Sequence, residues 1–502
     1  MVLTLGCLCV ISCLELLLCY VQPLWQWRKA TACGLLLALS VVSGIFLRED
    51  LTIWRFVIVC LSLYRIVNLL RLVENRAQSD YLYRAFRQTA LTLIGLQLLV
   101  AGLAALDHSY HIHMLVWWYL LVAVQLTFSL VLLFSTVRHL RTTRPPQQAD
   151  NYADRDLPTL TVAIPARNET DDLDACLRSL VANDYPKLEI LVLDDCSQEK
   201  RTPEIIRAFA HNGVRFIAGD VPPENWLAKN YAYKQLTEAS SGDVLLFCGV
   251  DVRFEPDSLR GLIGTLIQKK KVMLSIIPRN QVPTGWNPES FMVQPGRYAW
   301  ELALPRRWLN RPAVLSTCWL IRRDLLKKAG GFDAVSHSIS PESYFARQVI
   351  GQADGYSFVQ SDKTIGLTCV KSLSEQRGTA IRTRYPQLHR RPELVSIVSL
   401  VELWLLLVPF VLAASSIVDR QWGLATLSLI SCLFLIIFYT RIVSLTYRQF
   451  LLRGLWLLPF SVLYDVILLN YSMWQYEFNT VVWKDRNVCI PVMRTISSLP
   501  KN

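Results

Sequence analysis

Three polar clusters follow apolar, β-rich runs in the middle of this 502-residue chain, and their residue types define the chemistry open to it. The first is Pro165-Ala166-Arg167-Asn168-Glu169, after LTVAI. The second is Asp194-Asp195-Cys196-Ser197, after LEILVL, and the third is Asp251, after VLLFCGV. In an open α/β sheet, ligands lie at the carboxyl ends of the strands. Carboxylates and an arginine converging there suit a nucleotide and its ribose hydroxyls. They also suit a hard divalent cation, Mg²⁺ or Mn²⁺, that takes oxygen ligands and borrows the rest from a diphosphate. Each cluster has a plainer reading too: Asp-Asp-x-Ser after a strand also serves as a turn and helix cap, and Asp251 as a turn cap.

The elements that must position these residues alternate in type. Strand runs at 159–164, 188–193, 214–218 and 243–248 are separated by helical patterns at 171–182, 202–210 and 226–239. Such alternation predicts a mostly parallel sheet with helices on both faces.

On either side of this domain the chain is membrane-grade. Composition is 52% hydrophobic with mean hydropathy +0.30, too apolar for an ordinary soluble protein. Five apolar runs precede residue 140, at 2–24, 30–47, 51–70, 89–106 and 114–137. The first lacks the basic start and small-residue exit of a cleavable signal. Arg28 and Lys29, then Arg71, Arg76, Arg84 and Arg87, then Arg138, Arg141 and Arg144 all follow odd-numbered runs. The positive-inside rule therefore places the N-terminus outside and the middle domain in the cytosol. Arg55 and Arg65, inside the third run, are expected to face other helices or to snorkel. Spans at 394–418 and 423–445 follow the domain, then a basic stretch at 441–453. The last apolar run, 455–473, is broken by Asp465, Asn470 and Tyr471, which favours a re-entrant or interfacial segment over a third span.

The expected division is thus five transmembrane helices in 1–140, a polar Pro-Pro linker at 141–157 and a cytosolic domain at 158–392. Two spans plus the third or re-entrant segment occupy 393–476, and a cytosolic tail 477–502. The net charge of +12 comes mostly from cations flanking spans, so anionic lipid headgroups rather than nucleic acid are the expected partner. Thirteen scattered cysteines without a CxxC pair argue against a zinc or disulfide framework. The aromatic and basic segment at 298–308 (YAWELALPRRW) reads as an interfacial helix beside the bilayer.

The combination of IPARNE, VLDDCS, NWLAKNYA (225–232), FCGVD (247–251) and GGF (330–332) resembles the family 2 glycosyltransferases, membrane-embedded branch. The ending VVWKDRNVCI (481–490) is similar to that of membrane members that glycosylate lipids, such as ceramide and hopanoid glucosyltransferase-like proteins. The resemblance covers about 158–392 plus this ending. It implies a GT-A-like domain taking a nucleotide sugar, with UDP as the usual carrier, and transfer with inversion to a lipid or lipid-linked acceptor. It also implies roles: Pro165, Arg167, Glu169, Asp194 and Asp195 at the nucleotide, Lys229 at the diphosphate, and Asp251 at the metal. Glu342 becomes the general base, and Arg384 with Tyr385 stand for the family's Gln-x-x-Arg-Trp ending.

Departures accompany the matches. Gly249 replaces the first aspartate of the Asp-x-Asp metal motif, Pro341 precedes Glu342 where the family has Glu-Asp, and Ile381 replaces the glutamine. A register shifted by one would put Ser343 at the base position. Lys229 also reads as a solvated helix lysine, Glu342 as an ordinary loop glutamate, and Arg384 as one of several cations near headgroups. Two rival functions stay open: a processive polysaccharide synthase, and a degenerate nucleotide-sugar-binding assembly subunit. A bacterial inner membrane is the expected location; sugar, acceptor and oligomeric state are not encoded in any motif.

Overall fold

Continuous apolar runs make poor half-exposed strands but good central ones, and LTVAIPA forms β1 (Leu160–Ala166), buried along nearly its whole length. The computed structural model describes residues 2–20, 27–48, 53–74, 80–110, 114–146, 152–224, 226–281, 290–303, 312–350, 355–388, 390–447 and 457–489. Asn225, parts of the predicted linker, the 304–308 end of the aromatic segment, 448–453 of the basic stretch and the tail beyond 489 lie outside these.

β1 pairs in parallel with both β2 (Leu188–Asp194) and β4 (Val244–Cys248), and β2 pairs in parallel with β3 (Val214–Ala218). The full sheet has seven strands in the order β3-β2-β1-β4-β8-β6-β9, with β6 at Met273–Ile277, β8 at Cys318–Arg322 and β9 at Tyr356–Gln360. β8 runs antiparallel to β4 and β6, so the predicted mostly parallel sheet is found. The Asp171–Val181 helix buries Leu173, Cys176, Leu177 and Leu180 on one stripe. On the opposite face, Phe247 stacks on Trp319 at 4.5 Å and Trp319 on Phe345 at 5.9 Å, joining the sheet to the Pro341–Ile350 helix.

A second, small sheet holds β5 (Val252–Phe254), β10 (Leu367–Cys369) and β7 (Arg279–Asn280). Its register sets Cys369 opposite Val252, and the Val370 amide donates to the Asp251 carbonyl at 2.8 Å. Residues more than a hundred apart in sequence are thereby brought to the end of β4.

The chain folds as two compact units, 1–121 and 122–502. Among the described residues, five helices are long and apolar enough to cross a membrane: Arg28–Ile45, Thr89–Asp107, Leu115–Thr142, Pro392–Val418 and Trp422–Thr446. In the first unit Arg65 faces other helices, as expected for a cation in an apolar run. It is fully buried, donates to Glu15 at 2.6 and 2.9 Å, and reaches Ser12 and Gln97. Within the second unit, the Thr143 carbonyl accepts from the Gln360 amide of β9 at 2.9 Å, tying the end of the Met114–Thr142 helix to the sheet edge. The Ser290–Ala303 helix buries Tyr298 and Leu302 in a cluster with Phe358 of β9 and Leu435, Phe438 and Ile442 of the Trp422–Thr446 helix. Leu458–Glu477 forms one uninterrupted helix, in which Asp465 and Asn470 turn toward Arg384 and Ser399.

Deleting one partner of a buried ion pair strands the other charge. Arg65→Leu should therefore lower stability by about 3–5 kcal/mol, and Arg65→Leu combined with Glu15→Leu should recover most of that loss. Thermal unfolding in detergent measures both.

Candidate active site

The β1–β2 register places Ala166 opposite Asp194, so the Arg167–Glu169 loop and the Asp194-Asp195 pair leave the sheet side by side. Arg167 is buried and donates through Nη1 to the carbonyls of Asp195 at 2.7 Å and Cys196 at 2.5 Å, locking the two loops together. Asn168 occupies the left-handed region (φ 49°), which asparagine tolerates, and its amide donates to Ser197 Oγ. Asp194 Oδ1 accepts from the Ser197 amide at 3.3 Å, the local turn that the Asp-Asp-x-Ser pattern also offered. Pro165 stays within β1, half-buried.

A hairpin near the far end of the chain lies on these strand ends. β11 (Val482–Trp483) and β12 (Arg486–Asn487) are joined by Lys484 and Asp485, both at positive φ, as a two-residue mirror-type turn demands. Arg486 Nη1 contacts both carboxylate oxygens of Asp195 at 2.7 and 2.8 Å. Lys484 Nζ is 3.0 Å from Glu169, and Arg167 Nε donates to the Lys484 carbonyl at 2.9 Å. Burial raises the Asp195 carboxyl above its ordinary range against the pull of Arg486, and raises Glu169 likewise against Lys484. Four carboxylates, Glu169, Asp194, Asp195 and Asp485, thus gather with three cations, Arg167, Lys484 and Arg486.

The second group lies past the end of β4. Asp251 is buried; its Oδ2 is 3.0 Å from Lys371 Nζ and accepts from the Cys369 thiol at 3.3 Å. Burial pushes its carboxyl up, but Lys371 and the Cys369 hydrogen bond together hold it below the usual value. Lys229 lies over the Tyr233 ring at 5.3 Å, and burial depresses its ammonium while Glu342 opposes. Lys371 and Arg382 depress it further by repulsion. Glu342 is 2% exposed, and burial raises its carboxyl while Lys229 opposes. Its Oε2 is buried with no hydrogen-bond partner. Arg382 lies 5.5 Å from the Trp483 ring centroid, and burial lowers it to about 10.

The WLAKNYA segment explains how Lys229 and Glu342 come to face each other. Asn230 Nδ2 donates to the carbonyls of Val335, Ser336 and Ser338 at 2.7, 3.2 and 2.8 Å, clamping the loop that leads to Glu342. The Leu227 amide adds a bond to Ser336.

The structure brings Lys229, Asp251 and Glu342 together, and Arg167, Glu169, Asp194 and Asp195 together. Arg384 lines a cavity with Arg297 and Glu301, and Tyr385 points to the Leu458–Glu477 helix. Arg384 pairs with Asp465 of the Leu458–Glu477 helix, and the buried Tyr385 hydroxyl bonds the Arg390 carbonyl and Glu477. Arg382, two residues earlier, is the cation whose field reaches Asp251 and Lys229. Sequence reasoning missed Lys371, Arg382, Asn230 and the contacts of the hairpin; Asn230 had a signal in WLAKNYA and the hairpin in VVWKDRNVCI. A water-sized cavity lined by Val293, Arg297, Glu301, Gln376, Ala380, Thr383, Arg384 and Gln387 lies between the Ser290–Ala303 and Leu373–Gln387 helices.

The residues at Asp251 do not fit a divalent cation. A cation that borrows most of its ligands from a diphosphate still needs a free carboxylate oxygen from the protein, and Asp251 Oδ2 already meets Lys371 Nζ at 3.0 Å and the Cys369 thiol at 3.3 Å. Asp251 is instead engaged by an ammonium group.

Residues 161–330 match Glycosyl transferase family 2. The chain carries a family 2 glycosyl transferase domain. Among curated relatives, the probable glycosyltransferase YdaM of Bacillus subtilis is 27% identical over 237 residues, covering 42% of this chain and 52% of the relative. Glycosyltransferase AglE of Haloferax volcanii is 34% identical over 99 residues, covering 19% and 31%. The chain thus spans about half the length of these relatives or less. Among solved structures, mannosyltransferase PcManGT from Pyrobaculum calidifontis in complex with GDP-Man and Mn2+ aligns with TM-score 0.42 and 16% identity, over 71% of this chain and 98% of that one.

Asn230→Ala removes three hydrogen bonds to buried or half-buried carbonyls. The expected cost is about 1–3 kcal/mol, read from the unfolding midpoint, with faster amide exchange across 335–343.

Proposed function

We propose that this protein transfers one sugar from a nucleoside diphosphate sugar, a UDP-sugar by family resemblance, to the hydroxyl of a lipid or lipid-linked acceptor, with inversion, at the cytosolic face of a membrane. The observation that carries the reading is Glu342: a buried carboxylate with one oxygen unpartnered, facing a lysine. A carboxylate kept dry and raised by burial is suited to taking a proton from a hydroxyl.

Charge distribution supports a nucleoside diphosphate donor. The strand-end group has no excess of cations, four carboxylates including Asp485 against three cations, and suits an uncharged base and ribose whose N-H and O-H groups donate to Asp194, Asp195 and Glu169. Past β4, Lys229, Arg297, Lys371 and Arg382 outnumber Asp251, Glu342 and Glu301, which suits a diphosphate. In the reaction, the acceptor oxygen bonds to the anomeric carbon as that carbon's bond to the diphosphate oxygen breaks. The hydroxyl proton passes to Glu342, and the bonding electrons leave with the nucleoside diphosphate, whose charge the cations offset. Partial oxocarbenium character at the sugar is expected.

A membrane acceptor is supported by the Ser290–Ala303 helix, which packs against the membrane-grade Trp422–Thr446 helix and carries Arg297 toward Glu342. A single product would support one transfer; an oligosaccharide ladder would point to a processive synthase.

The test is release of UDP by purified protein in lipid extract across a panel of UDP-sugars. Glu342→Gln should lower kcat by about 10²–10⁴-fold while UDP binding persists. Donor binding without turnover in wild type would instead indicate a binding subunit. The pH profile carries a second expectation. Glu342 is raised, so the rate should climb with pH through an inflection above the ordinary glutamate value as the base deprotonates. Lys229 is lowered, so the rate should fall again below the ordinary lysine value as the ammonium loses its proton. Glu342→Gln should abolish the acidic limb of the residual activity.

A further inference from the structure

The position that should supply a second metal ligand is a glycine, and the Asp251 carboxylate occupies the space beside it. A Cβ at Gly249 would lie 2.2 Å from Asp251 Oδ1, so the Asp251 carboxylate is folded back over the glycine and any side chain there would displace it. The other oxygen of that carboxylate meets Lys371, and both side chains are largely withdrawn from solvent, at 12% and 17% exposure.

Lys371 is held there from both sides. Before it, the β10–β5 pairing sets Cys369 opposite Val252, and the Val370 amide bonds the Asp251 carbonyl. After it, Ser372 caps the Leu373–Gln387 helix with a complete capping box to Glu375. The ammonium is thus delivered to the end of β4 by backbone pairing rather than by a mobile loop. An ammonium group has three donors. One satisfies Asp251, which leaves two for phosphate oxygens. Lys229 and Arg382 lie close enough to perturb one another, so the diphosphate position has further positive charge.

We infer that Lys371, seated on Asp251, takes the place of the divalent cation, and that its ammonium binds the diphosphate of the donor and of the departing nucleotide without any metal. Asp251 then acts as a positioning residue for Lys371 rather than as a metal ligand. The inference rests on the proposed function, and the two fail differently.

The experiment is UDP and GDP titration of the full-length protein in detergent and lipid, by calorimetry, after EDTA and after adding Mn²⁺ or Mg²⁺. The expected result is the same affinity in EDTA as with either metal. Lys371→Met should weaken binding about tenfold or more, the scale of a lost charge-assisted hydrogen bond. Because that variant leaves Asp251 unpaired, Lys371→Met with Asp251→Asn tests the same loss without a stranded charge, and Lys371→Arg should retain most of the affinity. Binding lost in EDTA and restored by Mn²⁺ overturns the inference and leaves the transferase reading intact. Wild-type affinity in the Lys371→Met/Asp251→Asn double variant also overturns it, since Lys371 would then be only a structural partner. If neither nucleotide binds under any condition, the proposed function fails and the inference with it.

Discussion

The parallel register of β1 between β2 and β4 is the constraint on which the rest of the catalytic domain depends. Ala166 opposite Asp194 and Ala163 opposite Phe247 bring three strand ends to one edge of the sheet. Side chains alternate with a period of two, so a slip of one residue would turn the polar ends to the opposite face and the apolar set with them. In this register Arg167 is buried and bonded to two carbonyls of the β2 loop. The small β5-β10-β7 sheet extends the same logic, since its pairing delivers Lys371 to Asp251.

The domain separates its charge along that edge. Where the strand ends meet the hairpin, each carboxylate either has a cation or a local amide, and burial is tolerated because the pairs are hydrogen-bonded. Past β4 the balance tips toward cations, and Glu342 keeps an oxygen without a partner. Such an arrangement stores unfavourable electrostatics in the absence of ligand, a common property of sites that must recognise an anion and take a proton.

How much of this could be read from residues alone follows from the physics of each element. The first four strands and the helices between them were legible because buried parallel strands read as short apolar runs and their helices as stripes. Beyond Asp251 the chain order and the spatial order part company: β8 enters antiparallel between β4 and β6, and no local pattern marks that insertion. Arg382 and Arg384 show the limit at the level of single residues. Two positions apart on a helix point about 200° from each other; one faces Asp465 and the other the site, and a motif aligned on charge has no way to choose. Lys371 had no motif at all, because its place depends on a pairing between segments more than a hundred residues apart. Asp465 and Asn470 looked like interruptions of an apolar run, yet each is a cross-helix contact within one continuous helix.

The hairpin gives the molecule an order of construction. Asp195 and Arg486 stand 291 positions apart, and Arg167 and Lys484 stand 317 apart. A ribosome therefore finishes the sheet, both C-terminal membrane-grade helices and the Leu458–Glu477 helix before it makes the residues that neutralise the first strand ends. Until then Glu169 and Asp195 lack the cations Lys484 and Arg486. A chain halted shortly before Trp483 lacks the two cations that meet the first strand ends, so completion of the site waits on this late-made hairpin.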